Sequence, residues 1–431
     1  MDRYNLVSFL GLFALCALAW LVSSNRRRVR LRVVTWGIVA QLVFGAFVFR
    51  IPAGSRSFLW LSDAVVKLLG AASAGAHFCF GPLALSPGQE GSLGFILVCQ
   101  AFPTIVFFAA LMELLYFIGL MPLVIRQFAR LFARVMGVSG AEALCTASNI
   151  FVGIESTTTV LPYLKGMTRS ELCTILTAGL ATIASSVLGL YVMLLQHDFP
   201  HIAGHLISAS LLSAPAALVM SKLLLPETET PATLGREVTG YYERPDNALE
   251  AVIRGATNGG KLALGIIVML LALLGIVALI NLGLDVFARA VARTTGWSVS
   301  LRLENLLAVV FYPLALLLGM PPADAWQVAR LLGMRAIMTE VPAYQELNRL
   351  MAAGAFLHAR SAVLAAYALC GFTHVASVAI FVGGTAALAP NQTRALSRVA
   401  GRAFVAATLA CLMTAAVAGT FFGCGSPLFG Q

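Results

Sequence analysis

The sequence has few charged residues. Asp, Glu, Lys and Arg make up only 11% of its 431 residues, against 59% hydrophobic residues. A soluble domain carries about 25% charged residues, because charge is needed to cover a surface that faces water. The composition therefore excludes a soluble globular protein and indicates that lipid surrounds the chain. We predict one all-α integral membrane protein, with the lipid bilayer as its surroundings.

Motifs typical of several other functional classes are also absent. There is no G-x-x-x-x-G-K-[ST] phosphate loop, so nothing supports ATP-driven transport within this chain. There is no H-E-x-x-H or nucleophile elbow, and we predict that the protein is not an enzyme and holds no cofactor. The eight cysteines form no C-x-x-C pair, which argues against a disulfide framework or a metal cluster. The formal charge is +10, but the basic residues lie in short loops, which favours membrane topology over nucleic-acid binding.

Eight apolar segments are long enough to be transmembrane helices. They lie at about residues 6–22, 33–48, 96–120, 172–195, 206–225, 262–280, 362–382 and 404–421. The basic cluster Arg26-Arg27-Arg28 follows the first segment, so the positive-inside rule predicts an outside N-terminus. A mixed stretch at 51–95 favours an interfacial helix. We therefore divide the chain into N-terminal scaffold spans with this helix, 1–95, and a core, 96–431.

Two further apolar stretches hold polar and helix-breaking residues that a straight lipid-facing helix would not carry. Residues 137–164 include Asn149 and Glu155, and residues 304–345 include Glu340 and several prolines. Irregular backbone is tolerated at membrane depth only where it is buried in protein or lines a cavity. We therefore predict two re-entrant hairpins, in addition to the eight spans.

The segments that follow the hairpins resemble each other. Arg169-Ser170 and Arg360-Ser361 begin them, a threonine follows 13 residues later (Thr182, Thr373), and Ser-Val follows at 17 (Ser186-Val187, Ser377-Val378). Three predicted spans separate the two copies, so the repeat would be inverted. Paired, interrupted segments of this kind indicate a secondary transporter with its solute site at the repeat interface.

Carboxylates at membrane depth cost several kcal/mol unless they are paired, hydrated or protonated, so they are functional candidates. Glu155 and Glu340 are the leading pair, although either could be a structural partner for a hairpin backbone or for Arg330. Glu113 lies in a span without a repeat counterpart. His374 lies at the interruption of the second repeat segment, where it could contact the solute and make transport pH-sensitive.

Uncharged oxygen groups near the first hairpin could bind sodium. Asn149, Ser186 and an unwound carbonyl such as that of Val152 are of the type that coordinates sodium in transporters. Asn149 could equally bond the backbone at the hairpin tip, so this pattern leaves both interpretations open.

The chain resembles the concentrative nucleoside transporters from about residue 96 to 421. The matching stretches are 149–153, Pro162-Tyr163-Leu164, 169–172, 181–184 with 186–188, 213–216, 226–229, 328–331, Thr339-Glu340 with Ala343-Tyr344, and 367–372. The resemblance implies a homotrimer in which each protomer binds solute between two hairpins and two interrupted helices. It also implies cation-driven nucleoside uptake. The short N-terminal part resembles bacterial forms, which places the protein in the cell inner membrane.

The resemblance also implies site residues. Glu340 matches the glutamate that bonds ribose hydroxyls, and Phe372 and Ser377 match residues of the late interrupted helix. The family's asparagine there is His374 in this chain. With a one-residue deletion in the first hairpin, Glu155 keeps the place of a second glutamate.

The same alignment replaces a base-contacting glutamine of the family by Ile154, which offers only packing. An apolar wall discriminates between solutes less strongly than a hydrogen-bonding edge does. We therefore predict altered or broadened base selectivity.

The family's sodium ligands correspond to Asn149, the Val152 carbonyl, Ser186 and the Val187 backbone, all of which are retained. We therefore predict sodium symport of a nucleoside-like solute. The alternatives are a proton-coupled carrier that uses His374 or Glu155, and a membrane-embedded enzyme or sensor on the same scaffold.

Overall fold

The computed structural model describes residues 2–85, 89–295 and 301–423, and within these ranges the protein is α-helical with no β-strand. The prediction of an all-α fold is confirmed. The helices are α1 (Arg3–Leu21), α2 (Leu31–Arg50), α3 (Pro52–Phe80), α4 (Leu97–Phe117), α5 (Leu120–Met136), α6 (Gly140–Asn149), α7 (Leu161–Leu164), α8 (Arg169–Ala181), α9 (Ser185–Leu195), α10 (Ile202–Leu224), α11 (Ala248–Thr295), α12 (Leu303–Leu317), α13 (Pro322–Ile337), α14 (Glu340–Ala352), α15 (Ala359–Leu369), α16 (Val375–Leu388) and α17 (Thr393–Phe421).

Eight helical stretches of the described chain are long and apolar enough to cross a membrane. They are Arg3–Leu21, Leu31–Arg50, Pro52–Ala84, Leu97–Phe117, Arg169–Leu195, Ile202–Leu224, Ala248–Arg293 and Pro390–Phe421. This set differs from the predicted one. It includes α3, where we predicted an interfacial helix, and it lacks the segment 362–382, which is divided into the short helices α15 and α16. The exact number of spans and the re-entry of the hairpins stay predictions.

Helix α11 is much longer than the predicted span at 262–280. It contains 48 residues, so the hydrophilic loop after α10 ends before Ala248. The glycines of α11 let it pack closely against α4. A Cβ atom added at Gly255 would lie 2.7 Å from the carbonyl oxygen of Ala109, and one at Gly259 would lie 2.6 Å from the Ala109 Cβ. This close packing makes α4 and α11 one wall of the site described below.

Capping boxes fix the beginnings of α6 and α8. The Ser139 hydroxyl accepts a hydrogen bond from the Glu142 backbone N–H at 3.2 Å, and the Glu142 carboxylate accepts one from the Ser139 N–H at 3.1 Å. Thr168 and Glu171 make the same pair of bonds at α8. Such boxes satisfy amide groups that a helix start leaves unpaired.

The hydrophilic loop after α10 rests against the first hairpin. Its Glu237 carboxylate accepts hydrogen bonds from Arg130 and Arg134 of α5 at 3.0 and 2.9 Å, and the Arg130 bond holds the pKa of Glu237 below its usual value. Its Tyr241 backbone N–H donates to the Thr159 carbonyl at 2.8 Å. The loop therefore helps to position the 3-10 segment Ile154–Val160.

Both repeat segments are broken helices. The first breaks after Ala181, where Thr182 has extended backbone (φ −115°, ψ 163°), and α9 begins at Ser185. The second breaks after Leu369, and α16 begins at Val375. The interruptions expected from the sequence are therefore present at matching places. The opposite orientation of the two copies across a membrane stays a prediction.

The two arginines that begin these segments have opposite environments. Arg169 is exposed, whereas Arg360 is buried and donates to the carbonyl of Gly319 and the side chain of Asn5, at 2.9 and 2.6 Å. Arg360 also donates to the Gly419 carbonyl at 2.9 Å. It therefore ties α1 and α17 to the second repeat.

Candidate solute-binding site

A cavity of about 500 Å3 lies where the two broken helices and the hairpin turns face α4 and α11. It collects most of the predicted site residues. Those that line it are Val152, Glu155, Ser186, Val187, Glu340, Phe372, His374 and Ser377. Of the other two, Asn149 is buried behind the wall, and the Ile154 side chain lies outside what the structure describes.

Glu340 is the best-defined polar group of the cavity. It begins α14 and is only 4% exposed. Its Oε1 accepts a hydrogen bond from the Tyr191 hydroxyl at 2.6 Å, and its Oε2 lies 3.1 Å from His374 Nε2. The sequence left open that Glu340 could be a structural partner for Arg330, but Arg330 donates a hydrogen bond to the Gln327 side chain instead. The carboxylate is therefore held from two sides while it faces the cavity.

His374 both caps α16 and reaches Glu340. Its Nδ1 accepts a hydrogen bond from the Ser377 backbone N–H at 3.2 Å. An acceptor Nδ1 carries no proton, so this network assigns the proton of a neutral imidazole to Nε2. The Nε2 atom lies 2.6 Å from the Ser377 hydroxyl and 3.1 Å from Glu340. His374, Ser377 and Glu340 therefore form one connected polar surface.

Tyr191 is a functional candidate that sequence reasoning missed. It comes from α9 of the first repeat, is fully buried, and bonds Glu340 of the second hairpin. Its ring also packs on Tyr344, with ring centroids 4.7 Å apart. No sequence signal identifies it, because a tyrosine in an apolar helix is usually a core residue whose hydroxyl finds some local partner.

Thr339, next to Glu340, has strained backbone. Its φ is +142°, and it is the only residue other than glycine with positive φ in the described chain. This region is costly for a β-branched residue, and such strain is typical of functional sites. Its buried hydroxyl has no hydrogen-bond partner within the described ranges. The sequence marked Thr339 only as part of a stretch that matches the family, and gave no sign of the strain.

The opposite wall of the cavity carries a second group of charges. Glu113 of α4 accepts hydrogen bonds from Arg254 Nε at 2.9 Å and from the Tyr242 hydroxyl at 3.2 Å. Glu113 and Glu155 both line the cavity. The sequence left the role of Glu113 open, and its ion pair with Arg254 gives it a structural role in joining α4 to α11.

The residues predicted to bind sodium lie near one another. The Ser185 backbone N–H donates to the Phe151 carbonyl at 3.1 Å, which ties the turn after α6 to the start of α9. Val152 and Ser186 are the next residues on either side of this bond. Asn149 is fully buried at the end of α6, and its Nδ2 donates to the Cys145 carbonyl at 3.0 Å. Its Oδ1 has no partner among the described residues, so a buried oxygen acceptor is left available for a cation.

Three family profiles match consecutive parts of the chain. Those described as the N-terminus and C-terminus of Na+ dependent nucleoside transporters match residues 10–83 and 205–419. One described as Gate, nucleoside recognition, matches residues 98–197.

Curated relatives cover nearly the whole chain. Solute carrier family 28 member 3 of Mus musculus is 36% identical over 433 residues, which are 97% of this chain and 59% of the relative. This chain therefore spans about three fifths of that relative's length. An uncharacterized transporter of Haemophilus influenzae is 35% identical, with 98% of this chain and 99% of the relative covered.

Solved structures give the same picture. CNTnw in an inward-facing substrate-bound state matches with a TM-score of 0.87 and 33% identity, over 99% of this chain and 100% of that one. A variant of CNTnw in an outward-facing state matches with a TM-score of 0.88 and 32% identity, over 98% and 99% of the two chains. Together with the profiles and the relatives, these matches show that the chain belongs to the Na+ dependent nucleoside transporter family, a family of membrane transporters and not of enzymes.

Proposed function

We propose that the protein is a secondary active transporter that imports nucleosides or nucleoside-like solutes by sodium symport. The observation that carries this proposal is that two different polar groups lie in the same region, one at the cavity and one behind its wall. Glu340 is a buried carboxylate held by Tyr191 and His374 at the cavity, and Asn149 offers an unpartnered oxygen behind its wall. One group suits the hydroxyl groups of an organic solute, and the other suits a small cation.

In this proposal sodium binds between the end of α6 and the break before α9. Asn149 Oδ1, the Val152 carbonyl, the Ser186 hydroxyl and the Val187 backbone are its ligands. The hydrogen bond from Ser185 to Phe151 supports this set, because it holds the two segments together. Sodium at this position would order the first hairpin beside the solute, which is a direct way to couple the two binding events.

The solute would lie with its hydroxyl groups toward Glu340 and Ser377 and a ring against Phe372, while His374 contacts it from the same side. Glu155 would face the base. The replacement of a glutamine by Ile154 would leave part of the base without a bidentate partner, and we therefore propose a broadened base selectivity. Sharply retained preference for one base class in a competition series would contradict it.

The assembly and the membrane arrangement follow the family resemblance. We propose a homotrimer in the cell inner membrane, with eight spans, two re-entrant hairpins and an outside N-terminus. Residues 1–95 would belong to the scaffold and residues 96–431 would form the core that carries the inverted repeats. The exposed cluster Arg26-Arg27-Arg28 after α1 supports the orientation, since basic loops remain cytoplasmic.

Proton coupling is a second candidate, and one contact favours it. His374 Nε2 and Glu340 Oε2 are 3.1 Å apart in the cavity, so this pair could exchange a proton during transport. Sodium remains our first choice because the Asn149 side-chain oxygen has no hydrogen-bond partner among the residues that the structure describes.

The test is uptake of labelled uridine and adenosine into proteoliposomes that contain the purified protein. We expect accumulation with an inward sodium gradient and none when choline replaces sodium. Accumulation driven by a proton gradient without sodium would instead support the second candidate. Absence of uptake under both gradients, with folded protein, would contradict nucleoside transport. Counterflow with recovery of unchanged label separates a carrier from a solute-modifying enzyme or a sensor.

A further inference from the structure

Arg335 of α13 is a buried cation with no carboxylate beside it in the part of the chain that the structure describes. Its side chain is 0% exposed, and its Nη1 donates to the carbonyl of Ala368. Among the described residues, its Nε and Nη2 have no hydrogen-bond acceptor, and no ion pair within 4.0 Å includes it. An unpaired charge away from water is strongly unfavourable, so some other negative potential must stabilise it.

That potential is provided by helix ends. Ala368 lies in the last turn of α15, where carbonyl groups lack partners within the helix and carry roughly half a negative charge in sum. The Tyr344 hydroxyl donates to the Ala366 carbonyl of the same turn at 3.0 Å. The carbonyls at the end of α15 are thus satisfied by donors from the second hairpin, and one of these donors is charged.

The end of α8 lies at the same place. The Cys411 thiol lies within hydrogen-bond distance of the Ala181 carbonyl, at the end of α8, and of the Cys370 carbonyl, just after α15, at 3.6 Å in each case. The negative ends of both broken helices therefore converge on one thiol of α17. Arg335 brings a cationic side chain to this place through its hydrogen bond to Ala368.

Unwound carbonyls and half-helix C-terminal ends are where transporters bind their coupling cations. At the end of α6 in the first repeat, the neutral side chain of Asn149 leaves an oxygen acceptor without a partner. At the convergence of α8 and α15, a guanidinium already supplies the positive charge. The end of α6 and the place where α8 and α15 end therefore differ in whether the cation is supplied by solution or by the chain.

We propose that Arg335 is a tethered cation that fills the place of a second coupling ion where α8 and α15 end. This inference rests on the proposed sodium symport, and it deepens it by setting the ratio at one sodium per solute. Arg335 is then a positioning residue: it holds the break behind Phe372 and His374 without itself contacting solute. Removing its charge should create a vacant cation site.

The first test is thermal melting of detergent-purified protein without solute. We expect Arg335→Ala to melt below the wild type, and millimolar guanidinium chloride to restore much of the loss. Urea has the same planar shape without the charge and should restore none of it. Arg349→Ala is the matched control, because Arg349 lies in the next helix, α14, but is exposed and bonded to Glu346 at 2.7 Å. It should show no response to guanidinium.

The second test measures sodium dependence. Arg335→Lys keeps the charge and should keep the wild-type sodium dependence. In Arg335→Ala, sodium or guanidinium should compete for the vacant site, so that the dependence of melting temperature on sodium becomes steeper than in the wild type. Where the variant still transports, the charge moved per solute should rise from one toward two.

The proposal is overturned if Arg335→Ala melts like the wild type with unchanged sodium dependence, or if urea restores it as well as guanidinium does. If Arg335→Ala can be purified only in buffer that contains guanidinium, the proposal is supported; if it cannot be purified even there, it is overturned. None of these melting readouts requires transport. Failure of the wild type to accumulate nucleosides would therefore contradict the proposed function and leave this test standing.

Discussion

The two repeats share a helix break but differ in the chemistry around it. Near the first break, among the described residues, the buried amide oxygen of Asn149 is a neutral acceptor without a hydrogen-bond partner. Near the second, the buried groups without a partner there include donors of Arg335, and a carboxylate, Glu340, is bonded by Tyr191. Oxygen acceptors without a charge suit a small cation that enters and leaves. Fixed charges suit an organic solute and a rigid support.

This difference teaches that a sequence repeat preserves backbone shape more readily than local electrostatics. Thr182 and Thr373 both lie at the breaks. The Thr182 hydroxyl bonds the Ala178 carbonyl at 2.8 Å, whereas the Thr373 hydroxyl has no partner in the part of the chain that the structure describes. Arg169 is exposed and Arg360 is buried. Matched positions therefore predict where a helix breaks, but not what the break binds.

The largest effect is expected at Glu340. Glu340→Gln keeps the shape but removes the charge that Tyr191 and His374 hold, and hydrogen bonds to charged groups contribute about 1.5–3 kcal/mol. We expect solute uptake efficiency to fall by roughly 10- to 150-fold at constant sodium, as measured by initial rates in proteoliposomes. Glu346→Gln, on the same helix but bonded to Arg349, should leave uptake unchanged. Equal effects of the two substitutions would mean that the Glu340 carboxylate is only structural, and the comparison between the two repeats would then fail.

The next effect is expected at Asn149 and should appear in sodium dependence. Asn149→Ala removes the unpartnered oxygen, so we expect the sodium concentration for half-maximal uptake to rise roughly tenfold, which corresponds to about 1.4 kcal/mol. The apparent solute affinity at saturating sodium should change less.

Gln41 supplies the control for this substitution. It is another fully buried amide whose oxygen has no partner among the described residues, but it lies in α2 and does not line the cavity. Gln41→Leu should therefore leave sodium dependence as it is. If Asn149→Ala changed only the solute affinity, Asn149 would not be part of the sodium site.

His374 tests whether the second break serves both stability and recognition. His374→Ala removes the Nδ1 cap of α16, and loss of an N-cap costs about 1 kcal/mol of stability. His374→Asn keeps a capping oxygen, so it should melt close to the wild type while it changes the relative uptake of different nucleosides. A melting curve separates the capping role from the recognition role. Identical selectivity in the asparagine variant and the wild type would remove His374 from the solute contacts.

Much of the fold could be predicted from the sequence, because apolar length and broken repeats follow from local composition. The breaks at Thr182 and after Leu369 were expected from their matched spacing, and the Na+ dependent nucleoside transporter family was expected from the ordered motifs. The ends of α11 were not predicted, since Arg254 and Lys261 in a long helix resemble a hydrophilic loop until Glu113 is seen to pair with Arg254.

The parts of the site that could not be predicted depend on contacts between distant segments. Tyr191 bonds Glu340, which lies 149 positions later in the sequence, and Arg335 of α13 bonds Ala368 of α15, 33 positions later. Neither contact produces a local sequence pattern, because the residues around a buried tyrosine or arginine do not show whether its partner is near or far in the sequence. The strained φ of Thr339 is equally invisible, since any residue type can stand at a position that tertiary contacts force.

The smallest effect is expected at the hairpin tips. Positive φ is usually found at glycine, but here the glycine has negative φ and a threonine has positive φ. Gly153, at the first tip, has ordinary negative φ (−76°) and is small because a Cβ atom there would lie 3.2 Å from the Ala184 Cβ. Thr339, at the second tip, has φ +142° without being glycine.

A residue held in such a region costs about 1–3 kcal/mol, and glycine's greater loss of freedom on folding offsets roughly 0.5–1 kcal/mol of any gain. We therefore expect Thr339→Gly to raise the free energy of unfolding by about 1 kcal/mol, measured by thermal melting in detergent, and to lower solute affinity if the strained backbone presents Glu340. Stabilisation without loss of affinity would mean that the strain serves no binding function. Destabilisation would mean that the Thr339 side chain supports the second tip by packing.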